Sequence, residues 1–351
     1  MAQTRHVIDC GLGQQGSNKR RSVMRGFASA GVVAAAVVLA TTVLPIGSVT
    51  AEPIGYPAPL VPTESGPPQQ DHLTAARYIK AHPNAAPQGS NDFDCKPTAA
   101  HPRPVVLAHG TDSSAYSDFS VLGAQLVNAG FCVFAPNYGG KPGGDSYGTE
   151  DVFESSAQIA GFVDQVLAAT GATQVDMVGF SQGASVSRYF INKLGGAAKV
   201  GQWIGIASPS YGGVMYGLVP VANVVPILFD IAELASSEAA IQQAQGSPFI
   251  TALNSGGDTV AGVRYTTIGS RVDEMIQPFA NIALHGDGAT NIVLQDLCPG
   301  NLTGHFHMVY DAYVQQLVLN TLDPAHAVQP TCAPVALGTG IAEVVLAAHA
   351  N

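Results

Sequence analysis

Short apolar runs alternate along this chain with longer stretches in which apolar positions recur every three or four residues. The runs Pro104–Ala108, Phe131–Ala135, Val175–Phe180, Trp203–Ala207, Val263–Ile268 and Ile292–Leu294 have the length and composition of strands. Between them, Tyr116–Ala129 carries Phe119, Leu122 and Leu126 at helical spacing, and Glu154–Thr170 carries Ile159, Phe162, Val163, Val166 and Leu167 on one face. A third helical pattern follows Phe180, with Val186, Phe190 and Leu194 on one side. A fourth spans Met308–Leu322, with Val309, Tyr313 and Leu317 facing inward. Most of the strands are apolar throughout; only Val263–Ile268 includes an arginine and two threonines. Strands apolar on both faces, alternating with amphipathic helices, predict an α/β fold: a mainly parallel sheet with helices on both faces.

The flanks break this rhythm. Lys19, Arg20, Arg21 and Arg25 precede an apolar run from Phe27 to Leu44 and the small residues Ser48-Val49-Thr50-Ala51, the order of a secretory signal peptide over residues 1–51. Arg20-Arg21 resembles a twin-arginine signal, and a membrane anchor is the alternative for the same run. Residues 52–94 are rich in Pro and Gly and read as an extension with at most a short helix at Leu73–Ala81. The main domain is expected over 95–333, with an apolar tail over 334–351. Within the domain, Tyr211–Gly256 interrupts the alternation. Its apolar part, Tyr211–Phe229, reads either as a buried crossover or as the wall or lid of an acyl-chain pocket.

Composition narrows the classes. The chain is 46% hydrophobic and only 11% charged, which describes a packed globule. Its formal charge of −10 becomes −14 once the leader removes five basic residues and Asp9, leaving no basic footprint for nucleic acid and no electrostatic pull towards an anionic membrane. Cys10 goes with the leader. Cys95, Cys132, Cys298 and Cys332 remain, and in an exported chain they imply two disulfides. Chain order and the fold favour Cys95–Cys132 and Cys298–Cys332. No C-x-x-C or Cys/His cluster marks a metal site, and Gly11-Leu12-Gly13-Gln14-Gln15-Gly16 fits a dinucleotide fingerprint only inside the basic leader.

The chemistry is concentrated at Gly179-Phe180-Ser181-Gln182-Gly183, which joins a buried strand to a helix. A G-x-S-x-G in that setting is a nucleophile elbow. In a chain with 39 glycines the pattern alone is cheap: Gly144-Asp145-Ser146-Tyr147-Gly148 also matches, but it lacks the strand and the helix and reads as a loop. A serine nucleophile needs a base, and the base an orienting acid, in the chain order Ser, Asp/Glu, His. Asp273, just past the strand Val263–Ile268, is the expected acid. A surface pair with Arg271 is its bland alternative, and Glu274 and Asp287 stand in reserve. His305 lies on the loop before the last helix and is the expected base, while His307, at the start of that helix, is the alternative. His109 and His285 lack the position. His109-Gly110-Thr111 resembles an oxyanion turn, so the Thr111 and Gln182 backbone N–H groups would bind the oxyanion. The Thr111 hydroxyl is a third donor, and His109 serves as a structural histidine. Asn301-Leu302-Thr303 fits a glycosylation sequon.

From Asn91 to Leu322 these blocks resemble secreted actinobacterial-type class 2 lipases of the α/β-hydrolase superfamily. The matching segments are NDFDCKP, HPRPVVLAHGT, GFCVFAPNYG, VDMVGFSQG, ASPSYGG, TTIGSRVDEMIQP and NIVLQDLCPGNLTGHFHMVYD. The resemblance implies hydrolysis of carboxylic esters, from triacylglycerols to shorter acyl esters, without a cofactor. It supports both cysteine pairings and places the base on His305, although Gly304 stands where the family has an acidic residue. Acyl transfer or polyester hydrolysis on the same residues is the enzymatic alternative; a non-catalytic exported surface protein is the other.

Overall fold

The computed structural model describes residues 58–144, 146–214 and 237–348. The leader and most of Tyr211–Phe229 lie outside those residues. Up to the middle of the chain the elements are β1 (Glu64–Gly66), α1 (His72–Ala81), β2 (Ala85–Pro87), β3 (Val105–Ala108), α2 (Ala115–Asn128), β4 (Val133–Phe134), α3 (Val152–Thr170), β5 (Val175–Phe180) and α4 (Gln182–Lys193). There follow β6 (Val200–Ile206), α5 (Glu238–Gln242), α6 (Pro248–Asn254), β7 (Arg264–Gly269), β8 (Thr290–Val293), α7 (Leu294–Leu297), α8 (Ala312–Leu322) and α9 (Ile341–Ala348).

Six strands form one parallel sheet in the order β4-β3-β5-β6-β7-β8, as the apolar runs predict. Successive side chains point to opposite faces, so the central strands β3, β5 and β6 feed two cores. Val106, Met177 and Trp203 pack with Phe162, Val163 and Phe190 of α3 and α4. Val105, Leu107, Val178 and Ile204 pack with Phe119 and Leu122 of α2 and with Val314 and Val318 of α8. Each such buried side chain contributes about 1.5–3 kcal/mol. Asp176 is the polar exception within β5, and Arg103 Nε donates to its carboxylate at 2.6 Å. Phe180, Ile206 and Ile268 stand in register across β5, β6 and β7, so the loops that follow these strands leave the sheet side by side.

Local caps set the helix starts. Ser114 accepts from Ser117 N–H before α2, and Asp151 accepts from Phe153 and Glu154 N–H before α3. The last main helix begins at Ala312, four residues later than the periodicity suggests, and His307 belongs to a 3₁₀ turn, His305–His307. The reason is Asp311. One carboxylate oxygen caps Val314 N–H, and the other accepts from Asn301 Nδ2 and Thr303 Oγ1. Asn301 is thereby buried and hydrogen-bonded, which leaves the sequon no free amide in the folded chain. The other strand ends move by one to three residues: β6 starts at Val200, and Leu294 opens a helix instead of closing β8. The two disulfides are Cys95–Cys132 and Cys298–Cys332.

The two flanks meet on the outer side of the His305–His307 turn. α9, in the tail, packs Ile341, Val344 and Val345 against Phe306, Met275 and Ile276. α1 packs against α9, and His72 sets its ring edge-on to Tyr310 at 4.8 Å.

Candidate active site

β5 ends at Phe180 and α4 begins at Gln182, leaving Ser181 alone on the turn with φ 51° and ψ −119°. A side chain in that region costs about 1–3 kcal/mol and persists only where its surroundings enforce it. The surroundings here are two glycines. A Cβ on Gly179 would lie 2.4 Å from the Ala184 nitrogen, and one on Gly183 would lie 1.9 Å from the Ala108 oxygen. Helix, strand and turn therefore close to backbone contact, and Ser181 Oγ is carried to the end of the sheet.

Asp273 and His305 reach the same point from two other loops. Ser181 Oγ lies 3.0 Å from His305 Nε2, and His305 Nδ1 lies 2.9 Å from Asp273 Oδ2. All three residues are buried. Asp273 Oδ1 accepts the backbone N–H groups of Met275 and Ile276 at 2.9 and 2.7 Å, which orients Oδ2 towards the imidazole. Arg271 turns outward to Asp296 at 2.7 Å, so the surface pair considered for Asp273 does not form. Glu274 takes a different place: its Oε2 accepts His305 N–H at 2.5 Å, and its carboxylate fills the space a side chain at Gly304 would need. Burial, and then the neighbouring Asp273, raise the Glu274 pKa.

Burial alone would lower the pKa of His305. The Asp273 carboxylate on Nδ1, by charge and by hydrogen bond, together with Glu274 and Asp118, outweighs it and leaves the pKa raised. His109 behaves in the opposite way. It is buried, with no carboxylate partner among the described residues, and burial lowers its pKa to about 4. As a neutral ring it donates from Nδ1 to Gly110 O at 2.8 Å, accepts Tyr138 N–H at Nε2 at 3.3 Å, and stacks on the Tyr138 ring.

Below His109 the loop is held by Asp118 in the first turn of α2. Its two oxygens accept Gly110 N–H at 2.6 Å and Ser113 Oγ–H at 2.7 Å. Burial pushes its pKa up to about 6, offset in part by the Gly110 hydrogen bond. Thr111 stands next to the elbow, since Gln182 Nε2 donates to its Oγ1 at 3.1 Å. The same amide donates to Gly148 O at 2.9 Å. The rival segment around Ser146 is thus a loop that pairs antiparallel with Ser113 and buttresses Gln182.

The other candidates lie apart. His307 lines a separate pocket with Asp71, His72, Tyr310 and Glu343. His285 is exposed and stacks on Tyr211, and Asp287 is exposed as well. Among the described residues no group of three or more His, Cys, Asp or Glu could hold a metal ion. Sequence reading missed Asp118 and Gln243, whose Nε2 also donates to Thr111 Oγ1 at 3.1 Å. The only trace of Asp118 was an acidic residue in the first turn of the helix after the His-Gly-Thr turn.

A parallel sheet bearing a serine on a strand–turn–helix elbow, with the loops of the following strands converging on it, defines the α/β-hydrolase fold. The chain belongs to the class 2 lipase family, whose model matches residues 102–318. It is similar to a triacylglycerol lipase of Pseudarthrobacter phenanthrenivorans and to one of Burkholderia plantarii. Each is 36% identical over 103 residues, 26% of this chain. Those matches span only 28% and 25% of the two relatives. Among solved structures, lipase B of Aspergillus fumigatus superposes with a TM-score of 0.54 at 21% identity, over 75% of this chain and 63% of that one, a likeness of fold.

Proposed function

We propose that this chain is a secreted serine ester hydrolase that cleaves acyl esters, triacylglycerols among them, through an acyl-enzyme on Ser181. The observation that carries the reading is the continuous relay from Ser181 Oγ to His305 at 3.0 Å and on to Asp273 at 2.9 Å. Ser181 Oγ attacks the ester carbonyl while its proton passes to His305 Nε2. The Asp273 carboxylate holds the Nδ1–H tautomer and stabilises the imidazolium. The Gln182 and Thr111 N–H groups and the Thr111 hydroxyl receive the charge on the carbonyl oxygen. Collapse of the adduct expels the alcohol, which takes the proton from His305. Water then attacks the acyl-serine by the same steps and releases the acid. Family membership and the names of the two bacterial relatives support ester hydrolysis. The pair of disulfides supports an oxidising, extracellular setting. No helix among the described residues is long and apolar enough to cross a membrane.

The purified protein should hydrolyse p-nitrophenyl butyrate and palmitate and take up one equivalent of a fluorophosphonate with complete loss of activity. Absence of both turnover and labelling would sink the reading. The pH dependence is also fixed in direction. The base must be neutral, and its pKa is raised above 6.5, so kcat/KM should fall along a one-proton limb as pH drops through that raised value. The contribution of His305 to folding has the opposite trend. Protonation favours the folded chain, a gain complete below pH 6.5 and lost as pH rises through the folded value. The charges facing this ring are Asp273, Glu274 and Asp118, with His72 on the outer side. Because Glu274 raises the His305 pKa, Glu274→Gln should move the acid limb to lower pH. An unmoved limb would show that its charge is not felt by the base.

A further inference from the structure

We infer that Gln243 is a positioning residue that, with Gln182, fixes the direction in which the Thr111 hydroxyl donates. The inference rests on the ester-hydrolase reading and assigns a role within its site. A threonine hydroxyl has one hydrogen to give and two lone pairs with which to accept. Two amide groups occupy those lone pairs: Gln182 Nε2 and Gln243 Nε2 each lie 3.1 Å from Thr111 Oγ1.

Neither amide can be turned over. Gln182 Nε2 spends its other hydrogen on Gly148 O at 2.9 Å, and Gln243 Nε2 spends its own on Ala239 O at 3.0 Å. An amide oxygen in either place would face a carbonyl oxygen. Gln243 is wholly buried, and so is Gln182, so water does not compete for these hydrogens. Among the described residues Thr111 Oγ1 donates to no acceptor, so its O–H is held over for an acceptor that arrives with the substrate. The chemical class of that acceptor is the carbonyl oxygen of an ester as it becomes an oxyanion.

Two features place Gln243 outside an ordinary packing role. It reaches Thr111 from 132 residues away in sequence, bringing α5 to the oxyanion turn. It also leaves its own Oε1 buried without a donor among the described residues, as does Gln182. A buried carbonyl oxygen without a partner is unfavourable, and two together at one hydroxyl fit a site arranged for donation.

The test is a double-mutant cycle on p-nitrophenyl butyrate. Thr111→Val removes the hydroxyl at constant shape and should lower kcat by about 10²-fold, with KM nearly unchanged. Gln243→Met removes the donor and frees the hydroxyl to rotate; it should lower kcat roughly tenfold. In the Thr111→Val background Gln243→Met should cost nothing more. Inhibition by phenylboronic acid, which forms a tetrahedral adduct on the serine, should weaken in the same proportion as kcat/KM in both single variants. Gln243→Glu supplies a second variant: its carboxylate accepts the Thr111 proton, turning the hydrogen away from the site, and Gln243→Met keeps the cycle readable where Gln243→Glu fails to fold. Equal losses from Gln243→Met in both backgrounds, or a Thr111→Val enzyme with undiminished kcat, would overturn the inference. An inactive wild-type protein would instead overturn the ester-hydrolase reading itself.

Discussion

Ser181→Ala is expected to cut kcat/KM for p-nitrophenyl butyrate by about 10⁴–10⁶-fold, and His305→Ala by a similar factor. The double variant should be no worse than either single one, because nucleophile and base act as a unit. Asp273→Asn should lose about 10⁴-fold: the amide still fits among the Met275 and Ile276 N–H donors but no longer selects the Nδ1–H tautomer. His307→Ala is the informative control. Its ring lines the pocket of Asp71, His72 and Glu343, and Ser181 is paired with His305, so steady-state rates should stay within a few-fold of the wild type. A large loss in His307→Ala with activity retained in His305→Ala would reverse the assignment of the base.

The second large effect concerns stability. Arg188 in α4 is fully buried, and its guanidinium donates to Asp258 O and Ser210 O at 2.9 Å and to Asn254 Oδ1 at 3.0 Å. Burial lowers its pKa to about 10, with Asp258 opposing, so it stays charged at neutral pH. The ion is solvated by carbonyl dipoles in place of water: those of the loops after β6 and α6, and the side-chain amide of Asn254 at the end of α6. Arg188→Met would preserve volume but remove three hydrogen bonds from a charged donor, each worth about 1.5–3 kcal/mol. Asn254 Oδ1 is then left without a donor among the described residues, while Asp258 O and Ser210 O keep only the side-chain amides of Asn192 and Asn254. The expected loss is about 3–5 kcal/mol, read as a lower urea midpoint at unchanged m-value. Arg188→Lys should recover only part of it, because one ammonium cannot match a planar fork spread over three oxygens. A loss below about 1 kcal/mol would mean that the Asn192 and Asn254 amides hold the loops without the guanidinium.

Much of the candidate site was legible in the sequence because its key positions are tied to local backbone patterns. Ser181 announces itself by the glycines two residues to either side, and Asp273 and His305 by their places just beyond apolar runs. The sheet was legible for the same reason: strands buried on both faces leave continuous apolar runs. What escaped was set by contacts distant in sequence. Asp311 delays the last helix because its second oxygen is engaged by Asn301 and Thr303, a fact invisible to helical periodicity. Gln243 lies in the stretch that broke the alternation, and nothing in its neighbours signals that its amide meets Thr111. Glu274, adjacent to Asp273 and held in reserve for the role of acid, grips the backbone of His305. Two carboxylates in succession look interchangeable until the fold points them at different atoms.

The meeting of α1 and α9 behind the His305–His307 turn bears on how the chain can be cut down. The family model stops at residue 318, yet Phe306 rests on Ile341, Val344 and Val345, and the missing side chain of Gly340 lets the tail pass against the Phe306 backbone. A recombinant fragment trimmed to the family boundaries would strip the histidine turn of its outer packing while leaving every residue of the proposed relay in place. Fusion partners and affinity tags belong outside His72 and beyond Ala348, and a library that varies this protein should treat α1 and α9 as part of the scaffold rather than as trimmings.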